Sequence, residues 1–549
     1  MAVDRSVEDP VQPVAAAGKQ AENPSAIHDE VLVAEAKHGA DKEHQMSLWT
    51  ALKLYPKAIG WSMLLSSTLI MEGYDLALLG SLYASPVFKQ KYGELGSDGK
   101  YAVSAAWQSG LSNGARAGEI FGLILAGWAA DRYGYRNTTI ASLILLCGFI
   151  FVLFFAPNVK VLVVGEILCG MPWGAFQSVT PAYASEVAPV VLRPYLTTWC
   201  NMCWVIGQFF AAAVNKGSVN RTDVWAYRIP FGVQWVWPIP ILAGLVFAPE
   251  SPWWHVRHGN KEAAKKALLR LTSRNQPDFN ADETIAMIEH TNELEKNLRE
   301  GVGFRDCFKG IDLRRTEIVV MVWLVQTLGG QNLMGYFAYF LTQAGMDPGN
   351  SFSLSMGNSA LGIVGTAGSW FLMSRVGRRT IHFSGLCAQC TLLIIVGSLS
   401  FATSNASVWV IGALLIVFTF VYDFTVGPVT YSLVSELSST RLKAKTIVLA
   451  RAAYNASNIF VNVMTNYQLS KTAWNWGARA AFFWAGSCFL SAIWVYFRLP
   501  EPKGRTYAEL DILFEHRVSA RKFAKTEIDP YTHALTGKDR IVVKEKDLE

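Results

Sequence analysis

The feature that most limits what this chain can fold into is a series of about twelve stretches, each roughly 20 residues long and nearly free of charge. They run near Ala58–Ser81, Trp107–Ala130, Thr138–Ala156, Val159–Ala182, Tyr195–Asn215 and Ile229–Ala248 in the first half. The second half supplies Ile318–Gln343, Phe352–Ser374, His382–Thr403, Val408–Val434, Thr446–Thr465 and Ala478–Phe497. A soluble chain of 549 residues would carry nearer a quarter charged residues than the 17% found here. Hydrocarbon offers no water to satisfy a bare backbone, so stretches of this length must be helices. The expected class is an all-α membrane protein.

The charges that remain set orientation. Arg132, Arg136, Arg193, Arg375, Arg378, Arg379, Arg441, Lys443 and Lys445 fall in loops on one side if the segments alternate. The positive-inside rule makes that side cytoplasmic and puts both termini there. Residues 1–57 lack the apolar core of a secretory signal and read as a disordered cytoplasmic tail. Residues 58–248 and 316–498 then form two six-helix bundles, and 499–549 a cytoplasmic C-terminal tail. The connecting stretch 249–315 contains Lys261–Leu271 and Thr284–Leu298, whose mixed charge and helical period predict short amphipathic helices. Cys200-Cys203 and Cys387-Cys390 have CxxC spacing, but both pairs lie in apolar stretches without nearby histidines and read as packing residues. No phosphate-cradling loop, nucleophile elbow or metal-ligand cluster points to an enzyme. The modest net charge of +6, held in short loops, does not point to nucleic acid.

The two halves repeat each other. DRYGYR at 131–136 echoes SRVGRR at 374–379, SEVAP at 185–189 echoes SELSS at 435–439, and PESP at 249–252 echoes PEPK at 500–503. Each pair follows the equivalent helix of its half. Parallel six-helix repeats of this kind typify transporters that rock two bundles about a central site.

An ionisable residue in the membrane costs about 2.5–3.5 kcal/mol on insertion scales and therefore calls for a role. The first segment holds Glu72 and Asp75, the second Arg116 and Glu119, the fourth Glu166 and the eleventh Arg451. Spacing of i, i+3 puts Glu72 and Asp75 on one helical face. Mutual neutralisation is the structural reading. Proton coupling is the functional one: a carboxylate that gains or loses an arginine as the bundles move can load and release a proton. Asp75 is the first candidate for the carrier, with Glu72, Glu119 and Arg451 in the same network.

Amides and aromatic faces serve sugar hydroxyls and sugar rings. Gln326, Gln331, Asn332, Tyr336 and Tyr339 share one segment; Asn201 and Gln208 share another; Asn455 and Asn458 lie on the eleventh, and Trp173 and Gln177 on the fourth. Any one of these can also be helix-packing glue.

Taken together, these motifs resemble the sugar porters of the major facilitator superfamily over residues 58–515. GWAADRYGYR (127–136), PAYASEVAP with Arg193, PESP, QTLGGQN (326–332), RVGRR (375–379) and PEPKGR (500–505) carry the likeness. EGYDLALLGSLYA (72–84), GEILCGMPWG (165–174), PESPWW (249–254) and SELSSTRLKAK (435–445) are most similar to fungal α-glucoside:proton symporters such as the maltose permeases. The resemblance implies a major facilitator fold of twelve transmembrane helices in two pseudo-symmetric bundles, with sugar held between them. It implies sugar contacts at Asn201, Gln208, Gln326, Asn332, Tyr431 and Asn455, to which the reading of amides and aromatic faces adds Gln331, Tyr336 and Trp173, and it implies proton coupling at Asp75, Glu72, Glu119 and Arg451. Asp131, Arg136, Glu186, Arg193, Glu250, Arg375, Arg379 and Glu436 match a cytoplasmic charge network that latches the outward-open state. The expected protein is a plasma-membrane monomer with the proton as coupling ion and no cofactor. Glu166 stands where many hexose porters carry arginine, and Asn201, Thr327 and Tyr431 also depart from the usual residues, which suggests a pocket not tuned to free glucose, for a disaccharide or another glucoside. Transport of a hexose, polyol or β-linked disaccharide, or sugar sensing, are the alternatives.

Overall fold

A computed structural model describes residues 42, 46–95, 101–189, 191–273, 279–299, 303–343, 345–402, 405–439, 442–470, 473–503, 505, 507–528 and 541–543. The short helix α1 (Leu48–Leu54) precedes α2 (Pro56–Ser66), α3 (Leu69–Leu82) and α4 (Pro86–Tyr92). The strands β1 (Glu94–Leu95) and β2 (Tyr101–Ala102) pair antiparallel before α5 (Ala105–Tyr133), α6 (Tyr135–Phe154), α7 (Val159–Val187) and α8 (Arg193–Ser218). Helices α9 (Trp225–Val233) and α10 (Pro238–Leu245) close the first half, and α11 (Pro252–Arg257), α12 (Lys261–Leu271) and α13 (Ala281–Arg299) form the connection. The second half runs α14 (Gly310–Leu328), α15 (Asn332–Gly335), α16 (Phe337–Gln343), α17 (Pro348–Arg375), α18 (Arg378–Leu399), α19 (Asn405–Phe424), α20 (Val426–Leu437), α21 (Lys443–Leu469) and α22 (Ala480–Arg498). Helix α23 (Tyr507–Glu515) and the antiparallel pair β3 (Thr526–Ile528) and β4 (Ile541–Val543) follow.

Each of the twelve stretches expected to be helical is helical, but not each is one helix. The first breaks at Ser67–Thr68, the sixth around Gln234–Trp237, the seventh between Leu328 and Phe337 and the tenth at Thr425. By length and apolarity alone, five qualify as membrane spans: Tyr135–Phe154, Val159–Val187, Arg378–Leu399, Ala406–Leu437 and Gly477–Arg498. The others are interrupted or carry amides and charges. Their apolar faces still point outward. On α5, Phe121, Ile124, Leu125 and Trp128 follow i, i+3, i+4, i+7 and are about 60% exposed, while Glu119, Gly122 and Leu123 on the other side are buried. A water-soluble helix would place those faces the other way round.

Within the first half, α5 and α7 meet backbone to backbone. A Cβ on Gly118, Gly122, Gly170 or Gly174 would strike a carbonyl of the facing helix. This close approach fixes the positions of Glu119 on one helix and Glu166 on the other. The halves meet along two seams, α5 against α21 and α8 against α17. The internal repeat makes α5 equivalent to α17 and α8 to α21, so the repeat exchanges the two seams.

Two stretches expected as tail are structured. Helix α1 is capped by Ser47 Oγ, buries Ala51 and Leu54, and offers the Leu54 carbonyl to the Ser273 amide at 2.7 Å. Residues 1–41 of the expected tail lie outside the described residues. On α23, Asp511 pairs with Arg315, and Phe514 is fully buried with the Arg315 guanidinium 4.7 Å from its ring centre. Both amphipathic helices of the connection are present as α12 and α13, joined by Lys265 to Asp282 at 2.7 Å.

Gly134 joins α5 to α6 at φ 89, a conformation that disfavours side chains, and a Cβ there would meet the Glu250 carboxylate. Gly148, inside α6, has nothing within 4 Å of its would-be Cβ. Thermal unfolding in detergent is therefore expected to show Gly134→Ala destabilised by about 1–3 kcal/mol. Gly148→Ala should be unchanged or up to about 1 kcal/mol more stable.

Candidate functional site

Two buried acidic groups occupy the interior of the first half. In the larger, Arg116 on α5 holds Glu119 through Nη1, at 2.9 and 3.2 Å to its two oxygens, and lies 4.0 Å from Glu72 on α3. Glu72 also accepts from Trp204 Nε1 at 3.1 Å and from the Gln177 amide. Gln177 Oε1 in turn accepts from Arg451 Nε at 2.9 Å and Asn455 Nδ2 at 3.3 Å, both on α21 of the other half. The Arg451 guanidinium lies 4.4 Å from the Trp323 ring centre and 4.7 Å from that of Tyr454. Two carboxylates and two guanidiniums cancel here, so this cluster is neutral when the halves are together. Gln177 is the joint between them.

Asp75 is one turn further along α3 and belongs to a different group. It accepts from the Gln234 amide and faces Glu166 of α7. No arginine or lysine is among the groups that act on either acid. Asp75 Oδ2 and both Glu166 oxygens lack any protein donor. Carboxyl groups that meet without a cation need a proton between them. The sequence grouped Asp75 with Glu72, Glu119 and Arg451; the structure brings the last three together and gives Asp75 its own acidic partner.

The residues expected to meet sugar lie on both halves. Asn455 and Gln326 are buried, the latter donating to the Gly427 carbonyl at 3.2 Å, while Asn455 Oδ1 has no partner. Asn332 donates to Asn462 at 2.6 Å, and Gln331 Oε1 is unpartnered. Tyr431 stands edge-on to Trp323 at 4.9 Å. Tyr336 shares a 3.1 Å hydrogen bond with Ser112 and stacks on Tyr83, closing the halves against each other beside Asn466 and Ser109. Asn201 donates to Thr366 across the α8–α17 seam at 3.4 Å. Gln208 is half-buried with no hydrogen bond among the described contacts. Trp173 is fully buried inside α7 with its indole N–H unpartnered.

The charged residues expected at the cytoplasmic side form two matching arrangements. Glu250 accepts the amides of Tyr135 and Arg136 at 3.0 and 3.1 Å at the start of α6, and Arg136 donates to the Leu245 carbonyl at 2.9 Å. In the second half Glu501 accepts the amides of Arg378 and Arg379 at 2.8 and 3.1 Å at the start of α18, and Arg379 donates to the Tyr496 carbonyl at 2.7 Å. Glu186 takes hydrogen bonds from Arg257 at 2.9 Å, Tyr135 at 2.8 Å and Ser251 at 2.5 Å, and Glu436 pairs with Arg378 at 3.3 Å. These ion pairs each stay within one half. Arg193 donates to the Ala188 carbonyl at 3.1 Å, Arg375 lies 4.0 Å from the Phe371 ring centre, and the Asp131 carbonyl accepts from Trp254. Burial pushes the Glu250 carboxyl above the ordinary carboxylate range, while the amides of Ser251, Arg136 and Tyr135 pull it back. Burial works against the Arg257 charge, but Glu186 and Tyr135 outweigh it and hold its pKa above the ordinary value.

Sequence reading did not assign roles to Trp204, Gln234, Arg257 or Glu501. Nothing in the local pattern marks Trp204, Gln234 or Arg257, whose partners are far away in the chain, whereas the PEPK echo of PESP puts Glu501 in the place of Glu250. Among the described residues no three His, Cys, Asp or Glu side chains converge as metal ligands.

A family model described as sugar (and other) transporter matches residues 61–514. The chain is 43% identical over 523 residues to maltose permease MAL31 of Saccharomyces cerevisiae, covering 94% of this chain and 85% of that protein. It is 40% identical over 526 residues to a general alpha-glucoside permease of the same species, covering 95% and 85%. Among solved structures, a partially occluded inward open form of the xylose transporter XylE from E. coli superposes with a TM-score of 0.67 at 19% identity, over 82% of this chain and 99% of that one. The proton:xylose symporter XylE bound to 6-bromo-6-deoxy-D-glucose gives 0.67 at 20%, over 84% and 99%. The fold is that of the major facilitator superfamily.

Gln177→Leu keeps the side-chain volume but removes the joint between Glu72 and the Arg451–Asn455 pair. Its initial rate of labelled-sugar uptake, corrected for surface amount, should fall at least about tenfold, or about 1.4 kcal/mol. An unchanged rate would show that the joint is not used.

Proposed function

Because the chain belongs to the sugar (and other) transporter family, we propose that it is a proton-coupled symporter that imports an α-glucoside disaccharide such as maltose by alternating access. Its relatives named as maltose and alpha-glucoside permeases match over nearly its whole length, which supports the substrate class. The observation that carries proton coupling is the Asp75–Glu166 pair, two buried acids with no cation beside them.

The neutral cluster beside them supplies the link to the sugar. When the halves separate at this level, Arg451 leaves with α21, and two carboxylates are left with one guanidinium. That excess charge in a low dielectric favours a proton on the acids of the first half. When the halves close, Arg451 and Asn455 return to Gln177, the balance is restored and the proton is released toward the other side. Sugar enters the same account because Asn455 spends one amide hydrogen on Gln177 and keeps its carbonyl oxygen free for a hydroxyl. The transporter sits in the plasma membrane as a monomer with both termini in the cytoplasm, and the proton serves as the coupling ion with no cofactor. The mirrored Glu250 and Glu501 caps stiffen the cytoplasmic ends so that each half moves as a body.

In proteoliposomes with an imposed proton gradient, wild-type protein should concentrate maltose and a protonophore should abolish that accumulation. Asp75→Asn should retain counterflow of maltose but lose accumulation and the accompanying alkalinisation. Glu166→Gln should cut accumulation about tenfold or more. Equal uptake by wild type with the gradient collapsed, or accumulation by Asp75→Asn, would overturn the reading.

A further inference from the structure

The one buried acid of the second half's membrane interior among the described residues outside the cytoplasmic end is Asp423, near the end of α19, and nothing above uses it. It is 2% exposed, and its Oδ2 has no hydrogen-bond partner. The same cost of burying charge that singles out Asp75 applies to it, and the insertion penalty of about 2.5–3.5 kcal/mol has no counter-ion to offset it.

The surroundings are built to hold the carboxyl in place. A Cβ on Gly362 of α17 would fall 2.6 Å from Oδ2, and one on Gly365 would fall 3.3 Å from the Asp423 Cβ. The same Gly362 position abuts Val205 of α8. The Asn201 side chain, also on α8, donates to Thr366 of α17, the residue after Gly365. Asp423 therefore stands where α19, α17 and α8 meet, and α8 belongs to the other half. This is the seam bridged by Asn201 to Thr366 at 3.4 Å, Thr198 to Trp370 at 2.6 Å and Lys216 to the Gly349 carbonyl at 2.7 Å.

The titratable groups on the packed elements lie elsewhere. Tyr422 is the neighbour in the chain, and Tyr431 of α20 stands edge-on to Trp323. On α8, Arg193 and Tyr195 sit at the cytoplasmic start, Lys216 is engaged with Gly349, and Cys200 donates to Ser66 at 3.6 Å. On α17, Arg375 is at the far end over Phe371. On α18, His382 meets Thr430, and on α20, Glu436 is paired with Arg378. No described lysine, arginine or histidine makes an ion pair with Asp423.

We propose that Asp423 is a second proton-binding carboxyl of the transport cycle, lying in the C-terminal half, whose protonated form keeps the α8–α17 seam closed. The protonated acid is neutral and can stay in a dry, tightly packed seam. The ionised form can only accept, and its bare charge draws water into the seam and loosens it. Loss of the proton therefore favours separation of the halves along this seam. The proposal rests on the reading of the chain as a proton-coupled sugar transporter, but its decisive measurement does not need transport.

The test is difference infrared spectroscopy of purified full-length protein, titrated from about pH 5 to about pH 9. Wild type is expected to show a protonated-carboxyl C=O band that fades with rising pH, and Asp423→Asn to lack that component while Asp75→Asn keeps it. If Asp423→Asn does not fold, Asp423→Glu should shift the band rather than remove it. In uptake assays, the rise of KM for maltose with pH should be flattened by about tenfold at the alkaline end in Asp423→Asn. Wild-type and variant spectra that superimpose over the whole range would overturn the proposal, whether or not transport is proton-driven.

Discussion

An acid inside a membrane must be met by a cation, by hydrogen-bond donors or by a proton, and most of the interior of this protein is arranged around that requirement. Glu119 and Glu72 are met by Arg116, with Arg451 completing the balance from the other half through Gln177. Asp75 and Glu166 meet each other and the Gln234 amide, with Glu119 as a further acid near Asp75 and no ion pair to a lysine or arginine among the described residues. The first arrangement is settled as long as the halves stay together. The second is not settled by any fixed charge, which leaves the solvent proton as its partner.

The packing that holds these acids is correspondingly tight. Glycines at 118, 122, 170 and 174 let α5 and α7 touch through their backbones, and Gly73 and Gly207 do the same for α3 and α8. Side chains projected from such contacts have little freedom, so the distance between acids on neighbouring helices is set by the backbone. Larger residues at these positions would move the acids apart as well as strain the helices.

Much of this could be read from the chain. The apolar stretches gave the helices, and the cost of intramembrane charge picked out Glu72, Asp75, Glu119, Glu166 and Arg451 individually. What pattern could not supply was the rotation of each helix about its own axis. An all-apolar stretch facing lipid and core alike does not say which residues meet, so the pairing of Asp75 with Glu166 and the place of Gln177 at the joint were out of reach. The i, i+3 spacing of Glu72 and Asp75 was taken as a shared face, yet one turn was enough to give them separate partners. Asp423 stands alone in its segment as Glu166 and Arg451 do in theirs, and the same rule covers it, so it too was legible in the chain although it was not singled out. The breaks within the first, sixth, seventh and tenth segments were hidden because apolar composition continues through them.

The matched caps made by Glu250 and Glu501 divide what the two halves have in common from what they do not. A detail repeated down to which two amides are taken and which helix-end carbonyl receives the following arginine gives the two halves one common frame. Among the described residues the cluster of acids around Asp75 has no such twin. What the halves share is therefore the scaffold of their ends, and what sets them apart is the charge each carries inside.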